Sequence, residues 1–240
     1  MNKEEMKQYT GTKTVKAMPM TMGEAYERKL LKEDVRPSEC ETDKAGYLVE
    51  YEAGYQSWSP AEPFEKAYKL SETFLDRLCI EYTELMERAE KCNDFLASNK
   101  VKELDRTSQA LLSVQSGLMY QYGFVLGDRM DIVRKKKPVL YNFTFGTAVL
   151  LLEAGMAVRR GGWNGKGLFV VKQVPSRITA DIIPNMQSLP QSAKDIIMAR
   201  KEPHIDYSNQ MLIINPDGRA DSWVPSSSDV FAEDWELVTV

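Results

Sequence analysis

The run Arg159-Arg-Gly-Gly-Trp-Asn-Gly-Lys-Gly-Leu-Phe169 concentrates more ligand-handling chemistry than any other stretch of this 240-residue chain. Four glycines fall within seven positions, and glycine lets backbone approach a ligand closely or take a positive φ. Trp163 offers a stacking face and Asn164 a paired donor and acceptor. Arg159, Arg160 and Lys166 offer charge for phosphate. Such groups suit a pocket for a small, phosphorylated, ring-bearing molecule. The same residues also read as a type I′ hairpin turn at Asn164-Gly165, with the basic residues solvated on its rim.

A second polar and aromatic set, Trp223, Pro225, Ser226 to Ser228, Asp229, Asp234 and Trp235, lies in the same region. Tryptophans can sandwich a base, and Asp229 or Asp234 can accept from ribose hydroxyls or an exocyclic amine. Serine hydroxyls and free N–H groups at a helix start can hold phosphate. Each has a plainer counterpart: Trp235 heads an apolar strand and reads as core, and Asp229 reads as a helix cap.

The chemistry that is missing narrows the class. His204 is the sole histidine, in a polar loop, and three scattered cysteines cannot complete a usual zinc site. A Ser-His or Cys-His nucleophile would depend on that one loop histidine. There is no Walker-type loop and no GxGxxG after a strand. The expectation is a binder, not an enzyme, needing neither cofactor nor metal. A net charge of −4 argues against DNA or RNA as partner. No run approaches the roughly 20 apolar residues of a membrane span. A polar start and unpaired Cys40, Cys79 and Cys92 point to a reducing cytoplasm.

Periodicity divides the chain into segments and gives an α+β class. Residues 1–69 form a small module: a disordered start, a helix capped at Thr21-Met-Gly-Glu24, and a hairpin turning near Gly54. Residues 70–134 are helical. Phe74, Leu78, Leu85, Cys92 and Leu96, then Leu104, Leu111, Gln115, Met119, Tyr122 and Leu126, predict an antiparallel helical hairpin. Two helices cannot bury both stripes alone, so self-association is expected. Gly117, Gly123 and Gly127 are costly in a helix and hint at close backbone approach. Residues 135–142 read as a basic, solvated linker. Residues 143–240 predict a helix capped by Thr144 and closed by Gly155, followed by an antiparallel sheet. Residues 175–209 interrupt it as a polar insertion with a helical stretch around Ala193 to Lys201. The first and last segments echo each other: Thr21-Met-Gly-Glu-Ala and Thr144-Phe-Gly-Thr-Ala, then Ser57-Trp-Ser-Pro60 and Ser222-Trp-Val-Pro225.

Taken in order, Phe-Thr-Phe-Gly-Thr-Ala, Arg-Arg-Gly-Gly-Trp-Asn-Gly-Lys-Gly-Leu-Phe, Ser-Trp-Val-Pro-Ser-Ser-Ser-Asp and Ala-Glu-Asp-Trp-Glu-Leu-Val resemble the second type of Thoeris anti-defence protein, over about 143–240. That resemblance implies a phage-encoded sponge that holds glycocyclic ADP-ribose without cleaving it and assembles as a homo-oligomer, typically a tetramer. It implies ligand contacts from Arg160, Trp163, Asn164, Lys166, Phe169, Trp223, Ser227 and Asp229. The insertion 175–209 departs from the family pattern.

The helical segment, with Phe-Leu-x-Arg, Glu-Leu-x-x-Arg and Leu-Leu-x-x-Gln-x-x-x-Met-x-x-Tyr-x-x-x-Leu-x-x-Arg, is similar to anti-CBASS cyclic-oligonucleotide sponges, which are helical hexamers. That implies cyclic di- or trinucleotide ligands, with Arg77, Tyr82, Arg88, Lys91 and Tyr122 as candidate contacts. The leading expectation is therefore a cytoplasmic, fused, non-enzymatic nucleotide sponge. Two alternatives stand beside it: a phosphodiesterase-like enzyme using Asp229 and Asp234, and a phage structural protein with no small-molecule ligand.

Overall fold

A computed structural model describes residues 13–52 and 54–239. The disordered start expected in the first residues lies outside the described residues. The chain divides into two compact units, Met1–Ile80 and Glu81–Val240, and the class is α+β.

The first unit carries β1 (Lys16–Thr21), α1 (Met22–Glu27), β2 (Ala45–Glu50), β3 (Gln56–Pro60) and α2 (Ala61–Ala67). The three strands form one antiparallel sheet in the order β1-β2-β3. The capping box expected at Thr21 is formed: the Thr21 side chain accepts from Glu24 N, and the Glu24 carboxylate accepts from Thr21 N at 2.8 Å. Trp58 donates Nε1 to Met20 O at 3.0 Å. Its ring leaves no room for a Cβ at position 46, where one would sit 2.5 Å from ring carbons, so Gly46 is required there.

α3 (Phe74–Ala97) runs across the boundary into the second unit. A 3-10 turn at Asn99–Glu103 leads to α4 (Arg106–Val133), as the break at 97–100 foretold. Asp105 caps α4, accepting from Thr107 N and Ser108 N. Of the three helix glycines, Gly123 sits at a tight approach, with a Cβ falling 2.7 Å from Met86 Sδ. Gly117 and Gly127 face open space.

The rest of the second unit is α5 (Phe145–Glu153), β4 (Ala157–Arg160), β5 (Phe169–Lys172), β6 (Ser176–Thr179), α6 (Gln191–Met198), β7 (His204–Tyr207), β8 (Met211–Ile214), β9 (Ala220–Trp223), α7 (Ser227–Val230) and β10 (Trp235–Val238). Five strands form an antiparallel sheet in the order β10-β4-β5-β8-β9. α5 is capped by Thr144 and followed by Gly155 at φ 82°, as its sequence indicated. It closes a core of Phe143, Ala148, Leu152, Val158, Val170 and Trp235. The insertion is more ordered than its polar composition suggested: β6 and β7 pair antiparallel across it, and Ile183 between them is fully buried.

The internal echo survives as two similar hairpins with shifted tryptophans. Glu50 pairs with Gln56 and Ile214 with Ala220, around Gly54 at φ 75° and Gly218 at φ 87°. Leu48 then faces Trp58, but Leu212 faces Ser222, and Trp223 faces Met211. A one-residue shift moves a side chain to the other face of a strand. The two tryptophans therefore serve opposite faces of their hairpins.

Candidate functional site

The site starts from strand register. β4 pairs with β10 so that Arg159 opposes Glu236 and Arg160 opposes Trp235. Neighbouring residues on a strand point to opposite faces. Arg159 accordingly makes an exposed ion pair with Glu236 at 2.9 Å. Arg160 turns the other way, into a half-closed corner between the end of β4, the start of α7 and the residues before β10.

There Arg160 Nε lies 2.8 Å from Asp234 Oδ1, and Arg160 Nη1 lies 3.0 Å from Asp229 Oδ1. Asp229 Oδ1 also accepts from Trp163 Nε1 at 3.1 Å. Its other oxygen accepts from Ser226 N at 2.9 Å and Ser226 Oγ at 2.6 Å, completing a capping box for α7. Burial alone would raise the Asp229 carboxyl. The hydrogen bonds from Ser226 Oγ, Arg160, Ser226 N and Trp163 outweigh that and hold it at about 2. Asp234 is lowered chiefly by Arg160, and Arg160 is raised chiefly by Asp234.

The Gly-rich loop hangs from this network. Gly162 N donates to Asp234 Oδ2 at 2.6 Å, and a Cβ at that position would sit 2.7 Å from the same oxygen. The expected type I′ turn at Asn164-Gly165 is not formed. That turn needs positive φ at both central residues, whereas the positive φ in this loop belongs to Gly167, at 82°. The start of the loop is tied down, with Gly161 N and Gly162 N bonded to Asp234 and Trp163 Nε1 to Asp229, and β4 and β5 meet only at Val158 and Val170.

Three tryptophans floor the corner. The ring of Trp163 meets Trp223 at 5.9 Å and Trp235 at 5.6 Å, and Trp223 meets Trp235 at 6.1 Å, with interplanar angles of 71° to 74°. These are edge-to-face contacts, favoured by the aromatic quadrupole, and not parallel plates. Trp235 is fully buried, as its place at the head of an apolar strand indicated. Trp163 and Trp223 are half-buried, as is Phe169, which opposes Ile214. Asn164, Lys166 and Ser227 are exposed around them.

The eight residues thus fall into three groups. Arg160, Asp229 and Trp163 bond to one another, Phe169 and Trp223 are half-buried apolar surface, and Asn164, Lys166 and Ser227 present polar groups to solvent. Glu236 was not foreseen, because its part depends on the β4–β10 register.

The helical candidates are spread along α3 and α4. Arg77, in the first unit, donates to Ser71 O and Glu72 O. In the second, Arg88 and Lys91 lie exposed about one turn apart, and Tyr82 is half-buried. Tyr122 on α4 donates to the Glu81 carboxylate, which raises its phenol above the ordinary range. Two open recesses flank α4. One, of about 520 Å³, includes Leu85, Leu118 and Tyr122, and another, of about 600 Å³, includes Gln121, Asn142 and Glu233. Neither is lined by residues 160–169 or 223–229.

Among the described residues no group of three or more His, Cys, Asp or Glu is placed to hold a metal ion. No helix there is long and apolar enough to cross a membrane. His204 stands on β7, its ring 3.3 Å from Asp206.

Residues 143–238 match the Thoeris anti-defense 2-like domain, and residues 72–132 match the family described as Sequestin. Both fall on the segments whose motifs carried the two resemblances. Thoeris anti-defense 2 of Bacillus phage SP01 is 32% identical over 96 residues, which make up 40% of this chain and 94% of that relative.

Proposed function

Because the chain belongs to the Thoeris anti-defense 2 family through residues 143–238, we propose that it is a phage anti-defence sponge that sequesters glycocyclic ADP-ribose in its C-terminal domain. The helical segment takes cyclic di- or trinucleotides as a second ligand class. The observation that carries this reading is the bonding of Arg160, Asp229 and Trp163. It fixes the base of the Gly-rich loop while Asn164 and Lys166 remain exposed on it.

A braced loop binds with little ordering cost, which is how a rigid site gains affinity. Lys166 supplies the charge for phosphate, Asn164 and Ser227 supply hydrogen bonds, and the exposed faces of Trp163 and Trp223 supply stacking. The mechanism is mass action: slow dissociation keeps free signal below the threshold of its effector. Support for binding without cleavage comes from the acid–base groups themselves. Asp229, held at about 2, has no proton to give near neutral pH. His204 stands on β7, in the insertion, in a different sheet from the strands that carry Arg160 and Trp223.

The chain acts as a homo-oligomer, a tetramer or a hexamer. Residues 107–127 of α4 carry no charge, yet Leu111, Val114 and Leu118 stand more than half exposed. A contiguous apolar face of that kind marks an interaction surface. The binding claim is tested by calorimetric titration of the full chain with glycocyclic ADP-ribose and, separately, with cyclic di- and trinucleotides. Saturable heat with the first ligand is expected. Absence of heat with every ligand would leave the structural-protein alternative in its place.

A further inference from the structure

α4 contributes three side chains from one face, at positions 121, 125 and 128, to the C-terminal domain. Gln121 Oε1 accepts from Thr144 N at 2.9 Å and from Thr147 Oγ1 at 2.8 Å, and Gln121 Nε2 reaches Asn142 O at 3.4 Å. Thr144 is the N-cap of α5, so a side chain of α4 completes the start of that helix. Val125 packs against the cluster built on Phe143, Leu152, Val158, Val170 and Trp235. Asp128, itself buried, accepts from Val139 N at 2.8 Å and Leu140 N at 3.1 Å. The segment that composition marks as a linker is therefore bonded to the helix before it.

These contacts lead to the candidate site in two steps. Phe143 exchanges both backbone hydrogen bonds with Trp235, at 3.0 and 3.1 Å, and the Phe145 ring lies 5.4 Å from the Trp235 ring. Trp235 then donates Nε1 to Asp229 O at 3.0 Å and meets the edge of Trp163. The residues that shape the Gly-rich loop thus rest on Trp235, and Trp235 rests on the start of α5.

We propose that Gln121, supported by Val125 and Asp128, is a positioning residue for the Gly-rich loop, so that α4 is a structural wall of the C-terminal site. α4 and the C-terminal domain then behave as one body: loosening α4 loosens the loop 161–167, and a ligand held at the loop protects α4. The part of this that concerns affinity rests on the nucleotide-sponge reading above. The part that concerns the loop's order does not.

Hydrogen exchange on the full-length chain tests it with Gln121→Leu and Gln121→Glu. Leucine removes the acceptor at similar size, and glutamate keeps an oxygen for Thr144 N and Thr147 Oγ1. Q121L is expected to speed amide exchange about tenfold both at 144–148 and at 161–167, with Q121E close to the parent chain. Capture of glycocyclic ADP-ribose is expected to weaken about tenfold in Q121L and to be retained in Q121E. Unchanged exchange at 161–167 in Q121L overturns the proposal. So does a loss of order in Q121E equal to that in Q121L. If the parent chain captures no nucleotide, the sponge reading falls, and the exchange comparison alone decides the role of Gln121. Should Q121L fail to fold, Val125→Ala thins the same wall. Faster exchange at 161–167 supports the proposal there, and unchanged exchange overturns it.

Discussion

Asp229 and Arg160 meet at 3.0 Å with side chains only 10% and 18% exposed, and the same Asp229 oxygen takes the Trp163 indole N–H. One carboxylate therefore does three jobs. It caps α7, neutralises an arginine from β4, and fixes the orientation of a tryptophan in the Gly-rich loop. Charge, fold and candidate site are joined at a single residue.

Removing that carboxylate should be severe. Asp229→Ala leaves Arg160 with Asp234 and the Ser228 carbonyl, frees the Trp163 N–H and removes half of the α7 capping box. A loss of about 3 kcal/mol is expected in chemical denaturation. A loss under about 0.5 kcal/mol would show that Asp229 is peripheral.

The same group sets an acid limit. Its folded pKa is depressed to about 2 from an ordinary 3.8, so its contribution is fully present above about pH 4 and is lost as pH falls toward 2. Asp234, also lowered, acts in the same direction. Denaturation midpoints measured from pH 6 to pH 2 should fall steeply in that window for the parent chain and more shallowly for Asp229→Asn. Parallel slopes would remove Asp229 as the cause.

Lys166 should separate binding from stability. It is exposed, so Lys166→Ala is expected to change stability by no more than about 0.5 kcal/mol. Loss of a charge-assisted contact to phosphate should weaken glycocyclic ADP-ribose capture about tenfold to a hundredfold. Undiminished affinity measured by calorimetry would take Lys166 out of the site.

The exposed face of α4 makes its own prediction. Leu118→Glu places a charge in the middle of the uncharged stretch, 65% exposed in the single chain, and should leave the fold intact. Light scattering should show the parent chain as an oligomer and the variant shifted toward monomer. Equal masses would move the self-association surface elsewhere.

What could be read from the sequence was local. The cap at Thr144 and the positive-φ Gly155 lie at the ends of one apolar stripe, so α5 was visible from neighbouring residues. The strands β4 and β5 flank a glycine cluster, and each carries one buried valine, Val158 and Val170. What escaped depends on distant partners. β6 and β7 are short and polar, and each makes sense only when paired across more than twenty intervening residues around Ile183. The Asn164-Gly165 dipeptide carries a strong local turn signal. The loop takes another path because Asp234, some seventy positions away, binds Gly162. Gln121 lies outside the stripe that marks α4, and its role appears only when Thr144 is folded against it. The tryptophan motif was legible in each copy, but the one-residue shift between Trp58 and Trp223 shows only in the register.

The sponge account is tested most directly by capture and release. The purified chain is mixed with glycocyclic ADP-ribose, free ligand is measured by chromatography, and the protein is then heat-denatured and the ligand measured again. Depletion followed by full recovery of chemically intact ligand is the predicted result. Depletion without recovery would mean that the ligand is cleaved, and no depletion would mean that it is not bound; either contradicts the account.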